Sequence, residues 1–361
     1  METQCSVRVL GRILRRSECL GLLLAVAFVV GPAGGRSYAQ DCVGCPIKAD
    51  LDVPVSSGEW LLTKQVNEVN VIFVAAHKGK PIGNLSQADI TVQDDNKAAS
   101  ILRFRTESSL PLRVGVAIDT SNSVTSRFRF EQAAASAFFR QAVSREGDLG
   151  FVMGFENHPQ IMQDFVGDPE LLAHGVERLM IGGGTALYDA VYAACQKLLH
   201  HPEDQDMVAR VLVIVSDGQN NAGEISMQRA IDAAQEAEVT IYAISTNYPG
   251  SSYDIDYDAQ RGNSNLHKLA EQTGGRVLVP RSPQEVTKAF VKIGEELRSR
   301  YAVAYKPSDF TPDGHYRTIK IEARKTGDKL EVRARKGYYA RAASWLSGGS
   351  TEEEASAASL R

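Results

Sequence analysis

Two carboxylates and three hydroxyls, spread over about a hundred residues, occupy the same kind of position in this sequence. Asp119, Ser121 and Ser123 alternate in DTSNS, directly after the apolar run LRVGVAI. Thr185 follows three glycines in GGGTALYDA, and Asp217 ends VLVIVSD ahead of Gly218. All five offer oxygen and none offers nitrogen or sulfur. Hard oxygen sets suit Mg²⁺, Mn²⁺ or Ca²⁺, whereas zinc and copper draw on His and Cys. The charge balance fits as well. Two carboxylates neutralise a divalent ion, and hydroxyls bind it without adding charge, so the ion can still accept another anionic oxygen. Ser, Thr, Asp and Gly are also common helix caps and turn formers. A lone D-x-S-x-S would fit either reading, but three such junctions in one chain favour the metal site.

The other chemistries are weaker. There is no G-x-S-x-G elbow, no H-E-x-x-H and no G-x-x-x-x-G-K-[ST]. DTSNS lacks the second Asp of haloacid-dehalogenase phosphatases. The Gly182–Gly184 loop could cradle a phosphate at a helix N-terminus, but no Lys follows it. DIDYDAQRGN, from Asp254, alternates Asp like an EF-hand loop but has Ala at the sixth position and Asn at the twelfth, so it reads as a solvated acidic loop. His200 and His201 precede Pro202 at a helix end, where they complement the helix dipole. Cys195 falls on an apolar helical face and reads as a buried, inert thiol.

The elements that must position the five residues are legible in the pattern. LRVGVAID, LGFVMGF, RVLVIVSDG and VTIYAIS are short apolar runs, and PQIMQDF is a further strand. Helical runs separate them: 128–143, the stretch after Asp168-Pro169, the stretch entered from GGGT, SMQRAIDAAQEA, NLHKLAEQTGG and SPQEVTKAFVKIGEELRS. Such alternation implies an α/β fold with a mostly parallel, doubly wound sheet covered on both faces. Ligands of such sheets bind beyond the carboxyl ends of the strands, where the strand order reverses. The flanks change to alternating β pattern: VNVIFVAAH, DITVQDD and SILRFR before, and RYAVAY with a hairpin about KTGD after. In that hairpin Ile319, Ile321 and Ala323 should be mirrored by Leu330, Val332 and Ala334.

With these residues in view, Asp119-x-Ser121-x-Ser123, Thr185 and Asp217 resemble the metal-ion-dependent adhesion site of von Willebrand factor A domains. The flanks VNVIFVAAHKGKPIGNLSQADITVQDDNKAASILRF, SRYAVAYKP and RARKGYYA are similar to the von Willebrand factor A-related proteins of Acidobacteria. The resemblance spans about 67–340. It implies a Rossmann-like α/β domain that binds Mg²⁺ (or Mn²⁺ or Ca²⁺) and a protein ligand and is not an enzyme. A partner protein, or an extracellular or envelope ligand, would present an acidic residue to the metal. Asn122 stands where Gly is usual and Val124 where Met often follows; Asn tolerates a left-handed backbone better than most residues.

The ends and the bulk composition bound the setting. Four arginines, the apolar run Cys19–Val30 and the small residues Ser37 and Ala39 read as a secretory signal cleaved after Ala39. The run is shorter than the ~20 residues a membrane span needs, so membrane association is not required. Residues 1–39 take five Arg and two Glu with them, leaving 35 basic against 42 acidic side chains, net −7. Such a charge offers no footprint for nucleic acid. Cys42 and Cys45 read as a local disulfide in an exported chain. The expected division is a signal peptide at 1–39, a linker at 40–66, one β-sandwich-like domain from 67–107 and 299–340, the α/β domain at 110–298, and a disordered tail at 341–361. The expected function is secreted or periplasmic, cation-dependent protein binding. A metal-dependent hydrolase of the envelope and a purely structural envelope protein are the alternatives.

Overall fold

The computed structural model describes residues 68–106, 110–200, 208–248 and 257–340. The leader, the Cys42/Cys45 linker, His201 and the tail from 341 lie outside the described residues. The chain opens with β1 (Val69–His77), β2 (Lys80–Pro81), β3 (Ile90–Asp94), β4 (Lys97–Ala98) and β5 (Ser100–Thr106). Next come β6 (Leu112–Asp119), α1 (Phe128–Ala142), β7 (Leu149–Phe155), β8 (Pro159–Val166), α2 (Pro169–Glu177) and α3 (Leu187–Leu199). They are followed by β9 (Ala209–Ser216), α4 (Met227–Glu236), β10 (Thr240–Ser245), α5 (Tyr257–Gln272), β11 (Val277–Leu278) and α6 (Val286–Leu297). The last strands are β12 (Arg300–Lys306), β13 (Tyr316–Lys325), β14 (Asp328–Lys329), β15 (Glu331–Ala334) and β16 (Gly337–Tyr339).

The middle of the chain forms the expected doubly wound sheet. Its order is β11-β10-β9-β6-β7-β8, parallel except for the edge strand β8. All eight residues of β6 are buried because helices cover both faces. Alternation along each strand divides the core. Val114, Val116, Val211, Val213 and Val215 pack with Phe138, Phe139 and Phe290 of α1 and α6 on one face. Ala117, Phe151, Met153, Leu212 and Ile214 pack with Leu187, Val191, Cys195 and Leu266 on the other. Gly115 makes room for this second layer, since a Cβ there would fall 2.3 Å from the ring of Phe151. The chain runs outward from β6 through β7 to β8, then returns to β9 on the opposite side. The switch point therefore lies between β6 and β9, the strands that end in Asp119 and Ser216.

The flanking segments pair with each other. β1 runs antiparallel to β12, Val69 facing Tyr305 and Phe73 facing Tyr301. One sheet has the order β15-β1-β12-β5, with β2 on β1; the other is β14-β13-β3-β4, with β16 on β13. Val71, Phe73, Tyr301 and Val303 from the first share a core with Ile90, Val92, Ile319 and Ile321 from the second, which makes a sandwich. The two-residue turns Lys78-Gly79, Asp95-Asn96 and Thr326-Gly327 all have positive φ at both residues, the requirement of type I′ hairpins.

Three details differ from the sequence pattern. The arm returning from Asp95-Asn96 is divided: β4 pairs with β3, whereas SILRFR is β5 and pairs with β12, so the chain changes sheets at Ala99. The hairpin about KTGD is short, because β15 leaves β13 and pairs with β1, Ala334 facing Phe73. Both changes reflect sandwich closure, which draws a continuous period-two run across two sheets. The third is in DIDYDAQRGN: Tyr257 onward is helical, not loop.

The sandwich has a polar centre. Asp94, 1% exposed, accepts from Tyr305 Oη (2.7 Å), Tyr338 Oη (2.9 Å) and Arg317 Nε (2.6 Å). Removing one member of such a buried ionic cluster strands the others, at a cost of about 3 kcal/mol or more. Arg317 keeps Asp309 as a second partner at 3.0 Å, which places the expected loss near the low end. Asp94→Ala should therefore lower stability by about 3 kcal/mol in equilibrium urea unfolding, and Asp94→Asn by less. A loss under about 1 kcal/mol for the alanine variant would remove Asp94 from the sandwich's main supports.

Candidate metal centre

The centre begins where β6 runs out of core. Asp119 is fully buried; its Oδ1 accepts the Ser121 N–H (2.9 Å) and its Oδ2 accepts Ser216 Oγ (2.7 Å). The first bond tightens the chain into an Asx turn and the second ties the ends of β6 and β9 together. Residues Asn122–Val124 then form one 3₁₀ turn, anchored by the fully buried Val124. Asn122 adopts no left-handed conformation, so Asn in place of Gly is accommodated without strain. The turn presents Ser121 Oγ 3.0 Å from Ser123 Oγ, and Ser123 Oγ donates to Asp217 Oδ2 (2.9 Å). Four of the five residues are thus joined through hydrogen bonds.

Thr185 is buried in the adjoining loop, and its placement rests on two asparagines that the sequence reading did not single out. Asn221 Oδ1 accepts the Thr185 N–H (2.8 Å), while the Thr185 carbonyl accepts the N–H groups of Asn221 (2.9 Å) and Ala222 (3.1 Å). Asn220 Oδ1 accepts the Tyr188 N–H in the first turn of α3 (3.1 Å). The available signal was QNN directly after the strand-terminal DG. The Gly loop is stitched to the first loop by Gly182 N–H to the Thr120 carbonyl (2.8 Å) and Asn122 N–H to the Gly183 carbonyl (3.4 Å).

Asp217 is braced from behind by α5. Gly218 has φ +80°, and a Cβ on it would lie 2.1 Å from the Gly262 carbonyl oxygen. A Cβ on Gly262 would in turn lie 2.0 Å from the Asp217 carbonyl oxygen. This backbone-to-backbone approach explains why a Gly-containing, polar stretch is helical: α5 forms by docking on the Asp217 loop, against its own low propensity. Asn247 Nδ2 donates to the Asp217 carbonyl (2.7 Å) and Asn265 Nδ2 to the Gly218 carbonyl (2.9 Å). Gln219 N–H donates to Asp217 Oδ1 (3.0 Å).

The electrostatics are those of carboxylates gathered away from water. Burial first, and the charge of Asp217 as well, push the Asp119 carboxyl up to about 6, against hydrogen bonds from Ser121 and Ser216. One layer below, Glu131 of α1 is fully buried and pushed up to about 8, by burial first and also by Asp119 and Asp217, against Arg127. Among the described residues there is no cluster of three or more His, Cys, Asp or Glu able to hold a metal. Two carboxylates with hydroxyls are a different donor set. The described residues also contain no helix long and apolar enough to cross a membrane. The other candidates settle into structural roles. Cys195 is buried with its thiol pushed up, and His200 Nδ1 lies 2.9 Å from the Gln196 carbonyl at the end of α3.

The von Willebrand factor type A domain family matches residues 114–291, and the α/β sheet described above has that domain's fold. No protein of curated function matches the chain. Similar solved structures include BatB from Bacteroides thetaiotaomicron, 18% identical over 52% of this chain and 97% of that one, TM-score 0.41. A von Willebrand factor type A structure from Catenulispora acidiphila is 13% identical over 70% of this chain and 73% of that one, TM-score 0.44. Proximal thread matrix protein 1 from the mussel byssus, with a zinc-occupied MIDAS motif, is 16% identical over 57% and 49%, TM-score 0.44.

The raised carboxyls give the stability of metal-free protein a sign with pH. Both groups hold their protons more tightly folded than unfolded, where their values are 3.8 and 4.5. Their contribution is complete below about pH 4 and is lost as pH rises through 6 and then 8. Melting temperature in chelator should therefore fall across that window. Glu131→Gln should flatten the part between pH 6 and 8. A wild-type profile that is flat there would mean that Glu131 is ionised throughout.

Proposed function

We propose that this is an exported protein whose α/β domain binds a partner protein through a divalent cation held by Asp119, Ser121, Ser123, Thr185 and Asp217. The observation that carries this reading is that the fold brings hard-oxygen donors from separate loops together, four of the five joined by hydrogen bonds at spacings that a small cation also accepts. Magnesium bonds of 2.0–2.1 Å at right angles place adjacent ligand oxygens about 2.9 Å apart. Ser121 Oγ and Ser123 Oγ are 3.0 Å apart, and Ser123 Oγ and Asp217 Oδ2 are 2.9 Å apart. Hydroxyls and carboxylates spaced in this way fit an octahedral, oxygen-preferring ion such as Mg²⁺ or Mn²⁺. When bound, the cation would supply an electrophile able to accept a carboxylate oxygen from the partner.

The chain's own residues then have separate tasks. Asp119 and Asp217 supply the balancing charge, Ser121, Ser123 and Thr185 supply neutral oxygens, and Ser216 and Gln219 fix the carboxylates' outer lone pairs. The rim carries Met180, 83% exposed, two residues before the Gly182–Gly184 loop. An apolar contact beside the acid would suit it. The division into a β-domain (67–107 with 299–340) around an α/β domain (110–298) belongs to the same proposal. So do export after cleavage at Ala39 and kinship with the acidobacterial proteins, the latter resting on the flanking motifs.

Two measurements test this. In a thermal melt, Mg²⁺ or Mn²⁺ at a hundred times its dissociation constant should stabilise the protein by about 2.7 kcal/mol. Asp119→Ala should abolish that gain while its far-ultraviolet circular dichroism stays that of the wild type; an equal gain in both would sink the metal reading. Capture of a partner from envelope extract should fail in chelator and with Ser121→Ala or Thr185→Ala, and weaken when one partner acid is neutralised. A partner held equally well under all these conditions would separate binding from the metal.

A further inference from the structure

Arg127 lies four residues beyond Ser123, and its guanidinium is turned back toward the centre. Nη2 donates to Thr246 Oγ1, just past β10, at 3.0 Å and stands 3.9 Å from Asp217 Oδ2. On its other side, Nε is 3.3 Å from Oε1 of Glu131, one turn along α1. The group also lies over the ring of Tyr248, 5.8 Å from its centroid. Only 16% of the Arg127 side chain is exposed. Yet Arg127 Nε, both Glu131 oxygens and the Tyr248 hydroxyl are buried without a hydrogen bond. Nor does the Arg127 side chain cap α1, although it sits at the N-cap.

That geometry is unlike an ordinary structural ion pair. A buried arginine kept for stability normally closes a bidentate fork on its carboxylate, because each unmade bond is costly in low dielectric. This guanidinium is held instead between two acidic groups, one inside the metal centre and one outside it. At 3.9 Å from Asp217 its charge acts on the centre through little intervening water, where Coulomb interactions are strongest.

We infer that Arg127 is a built-in counter-cation of the metal centre, setting how strongly Asp119 and Asp217 draw a divalent ion. The inference rests on the metal-holding reading above. Without metal, the guanidinium offsets the charge of Asp217 and makes two neighbouring carboxylates tolerable. With metal, the same positive charge opposes the incoming ion, so affinity stays below what the donor set alone would give. Glu131, behind the guanidinium, places a second oxygen 3.3 Å from Nε on the side away from Asp217. Such a centre exchanges its cation with the medium instead of retaining it permanently.

The test is calorimetric titration of the full chain with Mg²⁺ and with Mn²⁺, at one neutral pH, alongside thermal melts in chelator. Arg127→Gln should bind metal about threefold more tightly or better and melt lower in chelator, whereas Arg127→Lys should stay within about twofold of wild-type affinity. The lysine separates charge from the shape of the guanidinium fork. A merely structural arginine has the opposite signature: its loss would weaken metal binding or leave it unchanged, and either result overturns the inference. Should Arg127→Gln fail to fold, Arg127→Met with Glu131→Leu replaces the pair by apolar packing, which buried pairs commonly tolerate. The same tightening is expected there, and its absence has the same force. A wild-type protein that binds neither ion removes the metal reading and this inference together, whereas a binding wild type with an unchanged or weakened Arg127→Gln removes this inference alone.

Discussion

Asp119 and Asp217 sit at the carboxyl ends of neighbouring parallel strands, where like charge and desolvation both disfavour them. Much of the surrounding structure serves to hold them there. The Ser216 hydroxyl and the Ser121 amide each donate one hydrogen bond to an oxygen of Asp119, and the Ser123 hydroxyl and the Gln219 amide do the same for Asp217, which leaves further lone pairs on each carboxylate. Neutral donors of this kind stabilise a carboxylate without cancelling its charge, so the pair keeps its attraction for a cation. Asp119 nonetheless remains above the ordinary carboxylate range. Desolvation therefore outweighs the hydrogen bonds in the metal-free protein, and the residual unfavourable energy is what a cation would relieve.

Precision in placing the pair comes from backbone, not from side-chain packing. The mutual approach of Gly218 and Gly262 leaves no space for a Cβ on either residue. The amides of Asn247 and Asn265 then fix the Asp217 and Gly218 carbonyls from the same side. A loop held by main-chain contacts and amide side chains has few alternative positions, since moving it would strand polar groups out of water. The same device recurs at Thr185, whose main-chain N–H and carbonyl are both taken by the Asn221 residue. Three loops from different parts of the sequence thus act as one rigid rim.

How much of this was legible in the sequence depended on the range of the interaction. Strand runs such as LRVGVAID and VLVIVS announce burial by their composition, and Asp119, Ser121, Ser123, Thr185 and Asp217 announce themselves by position. The turns at Asp95-Asn96 and about KTGD were equally plain, because turn chemistry is local, although their type I′ geometry is seen only in the structure. What escaped depended on tertiary contact. β15 looks like the return arm of a hairpin until β1 is present to take it. The first turns of α5 read as loop because their helicity depends on docking against Gly218. Asn220 and Asn221 carry no spacing rule, and each acts on a partner remote in sequence; Arg127 and Glu131 stand at the i, i+4 spacing of an ordinary helical pair, which says nothing of Asp217. The position of Glu131 among the apolar-face residues of α1, such as Ala134, Ala135 and Phe138, is the nearest thing to a signal in the sequence.

The sandwich completes the arrangement by occupying the opposite edge of the α/β sheet. Arg335 donates to the Asn70 carbonyl (2.7 Å) and to Glu238 (3.0 Å), which stands just ahead of β10. Tyr339 Oη donates to Asp232 (2.9 Å) near the end of α4, and Gln235 donates to Tyr316 Oη (3.1 Å). Glu296, buried at the end of α6, is shared by Arg333 (2.8 Å) and Arg276. All of these contacts lie where strands begin and helices end, which is the edge remote from Asp119 and Asp217. The connectivity enforces this: β6 must enter the sheet and α6 must leave it at that edge, so the chain on either side meets there as β5 and β12. Closing a loop of nearly two hundred residues costs little more than closing a short one, because the penalty grows only with the logarithm of length. Once the α/β sheet has formed, its two ends are already adjacent and that cost has been met. The sandwich therefore assembles across a gap that the α/β domain has closed, at the edge remote from Asp119 and Asp217.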